Sequence, residues 1–298
     1  AKNLGRKIEN DEIEWFSDHI RLCFGWEGEE IGQQVYEFLI RYMIRILKKP
    51  HIKVQGILVL KGLMGTGKDT FQVLFRRMMG DDSCYECEGM TDVITKDKWN
   101  DHLVDKLFVT MNEVKSEDGI KNIEGLKHKC TSTELNVKEK YMKNATMKDL
   151  NNMLVNSNNY TPVIISPDDR RYCLLKTNDD LALKEYASYW KNLYDNHINN
   201  EDQMNILYTW LLQWDIDDFD FKNDRPITPA FRRLASKQIS EVYFVLYWLL
   251  NQIENDKLGW SMKRNEFNSM CGYMSTHILE RNSKIKKSVI KDRMEDLT

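Results

Sequence analysis

What the sequence lacks bounds it first. No apolar run approaches the roughly 18 residues that a membrane-spanning helix needs, so a helical membrane anchor is not expected. The start carries no charged-then-apolar secretory pattern. It opens on Ala1 rather than Met, as expected of a piece of something longer. With 6 cysteines in 298 residues there is no disulfide scaffold, which points to a reducing compartment. The pair Cys84 and Cys87 in "CYEC" has the spacing of half a zinc site. No second pair is placed to complete four ligands, so two ordinary thiols near a loop are the simpler reading. A strong positive charge is also missing. The net charge is −3, so any contact with nucleic acid must come from local patches. Internal repeats and low-complexity segments are absent.

What is present is enough for one large domain or two modest ones, with 42% hydrophobic and 30% charged residues. From 12 to 47, Trp15, Ile20, Phe24, Ile31, Val35, Phe38, Leu39, Tyr42, Met43 and Ile46 recur at helical spacing, with a break expected at Gly25 and Gly28. The pattern changes after "KKP" at 48–50. "VQGILVLKG" reads as a buried strand and "DTFQVLFRRMMG" as a helix closed by Gly80. "DKLFVTMNEV", "MLVNSNNY", "PVIISP" and "RRYCLLKT" read as further strands. Strands alternating with helical stretches predict a mainly parallel sheet flanked by helices, with helical regions before and after it. The expected organisation is a helical region over 1–50, an α/β core over 51–180, a helical lid over 181–235 and a C-terminal helical region over 236–298.

Between the first strand and the helix lies "GLMGTGKDT", residues 62–70. It follows the phosphate-loop pattern G-x-x-x-x-G-K-[ST] except that Asp69 replaces the hydroxyl residue that normally meets magnesium. Gly62, Gly65 and Gly67, with Thr66 between them, let backbone N–H groups turn toward phosphate oxygens. A helix opening at Lys68 adds its dipole, and Lys68 can reach the β and γ phosphates. In its usual form the loop places Thr70 toward the α-phosphate. Asp69 then stands near the β and γ phosphates, where it opposes binding without a cation and favours it with magnesium.

Two further strand ends complete a nucleotide site. "LFVTMNEV" ends in Asn112–Glu113: Glu113 is suited to orienting an attacking water, and Asn112 stands where an acid commonly helps to hold magnesium. "MLVNSNN" ends in Ser157–Asn158, which sets the Asn158 amide beside the γ-phosphate. Just beyond, "PDDRRY" supplies Arg170 and Arg171, one of which can reach a neighbouring subunit's nucleotide.

This order of elements resembles superfamily 3 helicases of viruses, phages and plasmids, and more narrowly the helicase part of phage and viral primase–helicases and primase–polymerases. "KKPHIKVQGILVLKGLMGTGKDTF", "LFVTMNEV", "SNNYTPVIISPDDRRY", "YWKNLYD" and "DRPITPA" carry the likeness across roughly residues 10–235. The resemblance implies an AAA+-like P-loop NTPase core with a collar-like helical region over 1–50, using ATP and Mg2+. It also implies a homo-oligomeric ring, usually hexameric, moving on single-stranded DNA, with a primase or polymerase domain on the same longer chain. The setting implied is the cytoplasm of a phage- or virus-infected host cell. By resemblance Lys68 is the phosphate lysine, Glu113 the catalytic acid, Asn158 the sensor and Arg170 or Arg171 the finger. Asp69 and Asn112 depart from the pattern. They keep open an alternative in which the ring binds nucleotide and assembles a primase or polymerase on DNA with little hydrolysis.

For DNA contact the reading rests on 121–148, which carries seven lysines against three glutamates and is expected to form a hairpin or loop. Lys127, Lys129, Lys138 and Lys140 are the expected phosphate contacts. Tyr141 or His128 is placed to stack on a base.

Overall fold

The computed structural model describes residues 1–94, 100–114, 116–137, 145–159, 162–166, 168–216 and 218–237, except for the side chains of 116–121 and 123. Ala1–Leu234 form one compact unit and Ala235–Thr298 a second, of which only 235–237 are described. The stretches 239–256, expected as a helix, and 283–298, expected as a charged helix or a tail, lie outside the described residues. Among the described residues no helix is long and apolar enough to cross a membrane.

The chain opens with two helices, α1 (Glu14–Phe24) and α2 (Glu29–Lys48), divided where the glycines stand. Gly28 caps α2 at φ 137°, a conformation closed to side chains. A Cβ on Gly32 would lie 2.4 Å from the Gly25 carbonyl oxygen, so the two helices meet at a contact only glycine permits. Val35, Phe38, Leu39, Tyr42, Met43 and Ile46 form the buried stripe of α2 at the expected spacing.

A five-stranded sheet follows, built from β1 (Ile57–Lys61), β2 (Cys84–Glu88), β3 (Phe108–Asn112), β6 (Asn152–Ser157) and β7 (Tyr172–Lys176). Its order is β2-β3-β6-β1-β7 and every neighbouring pair is parallel. β1 lies at the inside of the sheet, with Ile57 opposite Met153 on one side and Tyr172 on the other. That is why "ILVL" is buried throughout and shows no alternation. The connecting helices are α3 (Lys68–Met79), α4 (Thr91–Ile94) and α5 (Ser116–Thr131), and β4 (Glu134–Val137) pairs with β5 (Ala145–Lys148) as an antiparallel hairpin. Beyond the sheet come α6 (Ala187–Leu193), one turn of π-helix at Tyr194–Ile198, α7 (Glu201–Gln213), α8 (Phe221–Asp224) and α9 (Pro229–Lys237). The mainly parallel α/β core flanked by helices matches the expectation.

Three local expectations are corrected. "PVIISP" forms no strand over 162–166 although Val163 and Ile165 are buried, and proline at either end of the run withholds the N–H groups that a ladder needs. "CYEC", read as two ordinary thiols near a loop, lies on edge strand β2 itself: Cys87 is buried, Cys84 half-buried, and both are free. The first half of the lysine-rich segment is helix, not hairpin, because Leu126 and Cys130 fall four apart and are both buried. Only its second half pairs as β4 and β5.

One core joins the N-terminal helices, the sheet and the later helices. The rings of Phe75 on α3 and Phe108 on β3 stack 4.3 Å apart, while Phe24 on α1 meets Phe71 on α3 edge-on at 6.3 Å. Each such ring contributes roughly 1.5–3 kcal/mol by leaving water. The helix that follows the glycine loop is therefore clamped between the sheet and the N-terminal helices. The stretches 1–50, 51–180 and 181–234 thus pack around shared side chains.

Candidate functional site

Because the five strands are parallel, the loops after β1, β3 and β6 emerge at one edge, where ligands of open α/β sheets bind. The glycine-rich loop leaves β1 there. Gly65 and Gly67 have φ of 79° and 87°, and Gly67 caps α3 in the left-handed region. Gly62 is set by a neighbour: a Cβ on it would fall 1.8 Å from the Thr177 hydroxyl. Thr66 is fully buried and shares a 2.6 Å hydrogen bond with Thr177 Oγ1, which ties the loop to the end of β7. The corner between α1 and α2 is tied to the same place, since Trp26 Nε1 donates to the Lys176 carbonyl at 2.9 Å.

Lys68 is buried at the first position of α3, and its ammonium donates to the loop's own carbonyls, Gly62 at 3.0 Å and Leu63 at 2.6 Å. Burial pushes its pKa down and Asp69 opposes the shift. A buried cation of this kind is satisfied best by an anion entering beside it.

A cleft of about 620 Å3 opens over the loop. Asp69, Asn112, Glu113 and Asn158, all expected at the site, line it. So do Asn156, Glu86, Arg76, Trp190 and Tyr194, which the sequence reading passed over. The polar groups are connected. The Asn156 amide nitrogen donates to Asp69 Oδ1 and to Asn112 Oδ1, each at 3.2 Å. Asn112 in turn donates to Glu86 Oε1, and Arg76 donates to Glu86 Oε2 at 2.8 Å. Asn156 is 3% exposed, and its Oδ1 has no partner among the described residues. A buried acceptor left open beside a cleft fits a ligand or a water that donates to it. The donor set also suits a nucleotide with a divalent cation: glycine-loop N–H groups and Lys68 for phosphate, carboxylate oxygens of Asp69 and Glu86 for the metal.

The remaining expected residues divide. Glu113 is exposed at the cleft with φ 51°, a left-handed conformation that costs a non-glycine residue and is common at functional sites. Asn158 is exposed at the rim, and Asn156, two residues earlier, hydrogen-bonds Asp69 and Asn112. Thr70 is buried, and its hydroxyl lies 3.0 Å from Tyr194 OH. Trp190 lies close over the loop, since a Cβ on Gly67 would fall 2.4 Å from its ring. Arg170 and Arg171 are not in the cleft. They precede β7, where the Arg171 carbonyl accepts from Ile57 N at 2.8 Å, so they sit at the opposite edge of the sheet. Arg171 is paired with Asp169 at 3.3 Å, while Arg170 is exposed.

The DNA-contact reading needs one correction. Lys129 is buried, and its ammonium lies 2.8 Å from Asp149 Oδ2 and donates to Asn151 Oδ1 at 2.9 Å, so it faces the interior and not a strand. Lys127 is partly exposed between Glu124 and Asp169, and His128 is exposed. Lys138, Lys140 and Tyr141 lie outside the described residues. Among the described residues no group of three or more His, Cys, Asp or Glu side chains could hold a metal by itself.

A family of unknown function (DUF5906) matches residues 60–171. A DNA primase-polymerase of Nitratiruptor phage NrS-1 is 29% identical over 149 residues, which are 48% of this chain and 20% of that protein. Two apo structures of the NrS-1 C-terminal region superpose with TM-scores of 0.64 and 0.65 at 17% and 16% identity. They cover 95% and 93% of this chain and 62% and 64% of the solved chains. The chain therefore spans about a fifth of the curated relative and less than two thirds of the solved ones. At such identities the structural likeness establishes the fold.

Proposed function

We propose that this chain is an ATP-driven, ring-forming helicase domain of a replicative primase–helicase, translocating on single-stranded DNA. The observation that carries the reading is the glycine loop with Lys68 at the carboxyl edge of a parallel sheet, faced by Asp69, Asn112, Glu113 and the open acceptor of Asn156. Loop N–H groups and Lys68 bind the phosphates, and ATP arrives with Mg2+. Glu113, exposed at the cleft, orients the attacking water. Asn158, at the rim of the cleft, is the sensor amide beside the γ-phosphate, and the open Oδ1 of Asn156 accepts from a water in the cleft. Magnesium, when bound, offsets charge developing on the phosphoryl oxygens. The arginines stand across the sheet from their own cleft, so the reading assigns Arg170 or Arg171 to a neighbouring subunit's nucleotide. That requires a homo-oligomer, with a hexameric ring as the expected form. Single-stranded DNA as partner, a primase or polymerase domain on the same longer chain and the cytoplasm of an infected host follow from the same reading.

A second reading is favoured by one feature. Asp69 and Asn112, the two departures from the helicase pattern, are both tied up by Asn156. A ring that holds nucleotide to assemble a replication complex, and hydrolyses it slowly, fits that arrangement.

Steady-state ATPase with and without single-stranded DNA, beside equilibrium ATP binding, separates the two. The first reading expects DNA-stimulated turnover that falls by at least about a hundredfold in Glu113→Gln, as for loss of general-base assistance, with ATP still bound. Binding without DNA-stimulated turnover selects the second. Absence of ATP binding overturns both.

A further inference from the structure

We propose that Glu86 on edge strand β2 is the second metal-binding acid of this site, and that Asp69 and Glu86 together hold the divalent cation accompanying the nucleotide, in place of an acid at position 112. The inference rests on the nucleotide reading above and adds a residue that the phosphate-loop pattern does not contain.

Two carboxylates face one cleft from different elements, Asp69 from the first turn of α3 and Glu86 from β2. Between them stand two neutral amides in a chain of donors and acceptors. Asn156 donates to Asp69 and to Asn112, and Asn112 donates to Glu86. Position 112 must both accept and donate to make this chain. An aspartate there accepts only, so it would lose the bond to Glu86 and set a third negative charge between two others. Asn112 is therefore the residue that lets the two acids share a site. The acid missing from β3 has its counterpart one strand away, on the same face of the sheet: Glu88 is opposite Asn112, and Glu86 is two residues before Glu88.

Coordination capacity remains. An ionised carboxylate offers about four lone-pair positions. Glu86 uses one for Asn112 and one for Arg76, and Asp69 uses one for Asn156. Magnesium takes one or two carboxylates together with phosphate oxygens and keeps several waters. The Asn156 Oδ1, buried and without a partner at the same cleft, is an acceptor for one such water. That open acceptor is independent of the acids and itself calls for a donor in the cleft. Arg76 balances Glu86 meanwhile, through a 2.8 Å ion pair.

The test measures ATP affinity in chelator and in saturating Mg2+ for the parent, Glu86→Gln, Glu86→Asp and Glu88→Gln. Glu88 is exposed on the same strand and lies outside the cleft. Mn2+ binding in the presence of ATP, followed by electron paramagnetic resonance, gives a readout that does not depend on turnover. The expected result is that Glu86→Gln loses about tenfold of the gain from Mg2+, within the usual range of site coupling. Affinity in chelator should hold or rise, Glu86→Asp should keep part of the gain, and Glu88→Gln should match the parent. An unchanged Mg2+ gain and Mn2+ affinity in Glu86→Gln overturn the assignment. So does an equal loss with and without metal, which is the signature of a structural role. A parent that binds no ATP in either condition overturns the nucleotide reading itself.

Discussion

Replacing Asp149 by Asn tests how the lysine-rich segment is fastened to the sheet. Asp149 follows the β4–β5 hairpin and is fully buried. Its Oδ2 receives two ammonium groups, Lys53 and Lys129, each at 2.8 Å. Removing the single anion leaves two buried cations, and breaking a buried pair costs about 3–5 kcal/mol. The lower end applies, because each lysine keeps neutral partners. Lys53 still donates to the carbonyls of Lys129 at 2.6 Å and Ser132 at 3.2 Å, and Lys129 to Asn151 at 2.9 Å. A loss of about 3 kcal/mol is a large share of the roughly 5–15 kcal/mol that hold a protein folded. It should lower Tm by about 6–12 °C for a unit of this size. The pH dependence has a definite sign. Burial lowers the pKa of Lys129, and Asp149 opposes the shift. Without Asp149 the folded-state pKa falls further, so above it the unfolded chain binds more protons and stability rises with pH until the ordinary lysine value near 10.5. Asp149→Asn should therefore regain stability between neutral pH and pH 10 more steeply than the parent. Adding Lys129→Met should restore part of the loss, since apolar groups of similar volume can replace a buried ion pair. Urea unfolding at several pH values measures all three effects. A cost under about 1 kcal/mol, the scale of an exposed pair, with no extra pH slope would refute the account of Asp149 as the anion that neutralises this cluster.

Two further outcomes concern the assembly. Arg170→Ala and Arg171→Ala should each be assayed alone and then mixed with Lys68→Ala; mixed rings more active than either parent are expected, and mixtures that co-assemble without exceeding their parents would exclude a site shared between subunits. Neutralising Lys127, Lys138 or Lys140 should flatten the salt dependence of single-strand binding by about 0.7 in log–log slope for each phosphate no longer neutralised, whereas Lys129→Gln should leave the slope unchanged, and the reverse pattern would show that the burial of Lys129 does not hold in solution.

The sheet and loop were legible because their signals are local. "ILVLKG" before a glycine run and an amphipathic "DTFQVLFRRMM" after it state strand, turn and helix within 25 residues. Pairing between distant segments was harder to read. The strand "CYECE" has two cysteines and two glutamates in its five positions, and only its partner β3 makes it a strand. Glu86 was invisible for that reason: its place in the cleft depends on which strand lies beside β3. Asn156, two residues before the expected Asn158, joins it at the cleft. "VNSNN" offers three asparagines, and alternation sets 156 and 158 on the same face. They differ in depth, since 156 is within β6 and 158 beyond its end. Lys129 shows the opposite failure. A lysine in a basic run reads as solvated, yet Asp149 and Asn151, each distant in sequence, draw it inward.

The direction of the sheet gives the arrangement its consequence. All five strands run the same way, so the glycine loop, Glu113 and Asn156 gather at one edge while Arg170 and Arg171 precede β7 at the other. A strand of five residues separates these edges by about 16 Å, more than an arginine side chain spans. No rotamer change brings either arginine to its own cleft. At the far edge the cations are organised around Asp169, whose carboxylate lies 3.3 Å from Arg171 and 3.7 Å from Lys127, with Arg225 donating to its carbonyl at 3.0 Å. Arg171 is thus held in place by Asp169, and Arg170, next to it, is exposed without a hydrogen bond or ion pair among the described residues. If one of the two is to meet a phosphate on another copy, Arg170 is the group free to do so without first breaking an ion pair. In the mixed-ring assay the larger complementation defect should then follow Arg170→Ala. An equal or larger effect from Arg171→Ala would mean that the Asp169 pair opens on assembly.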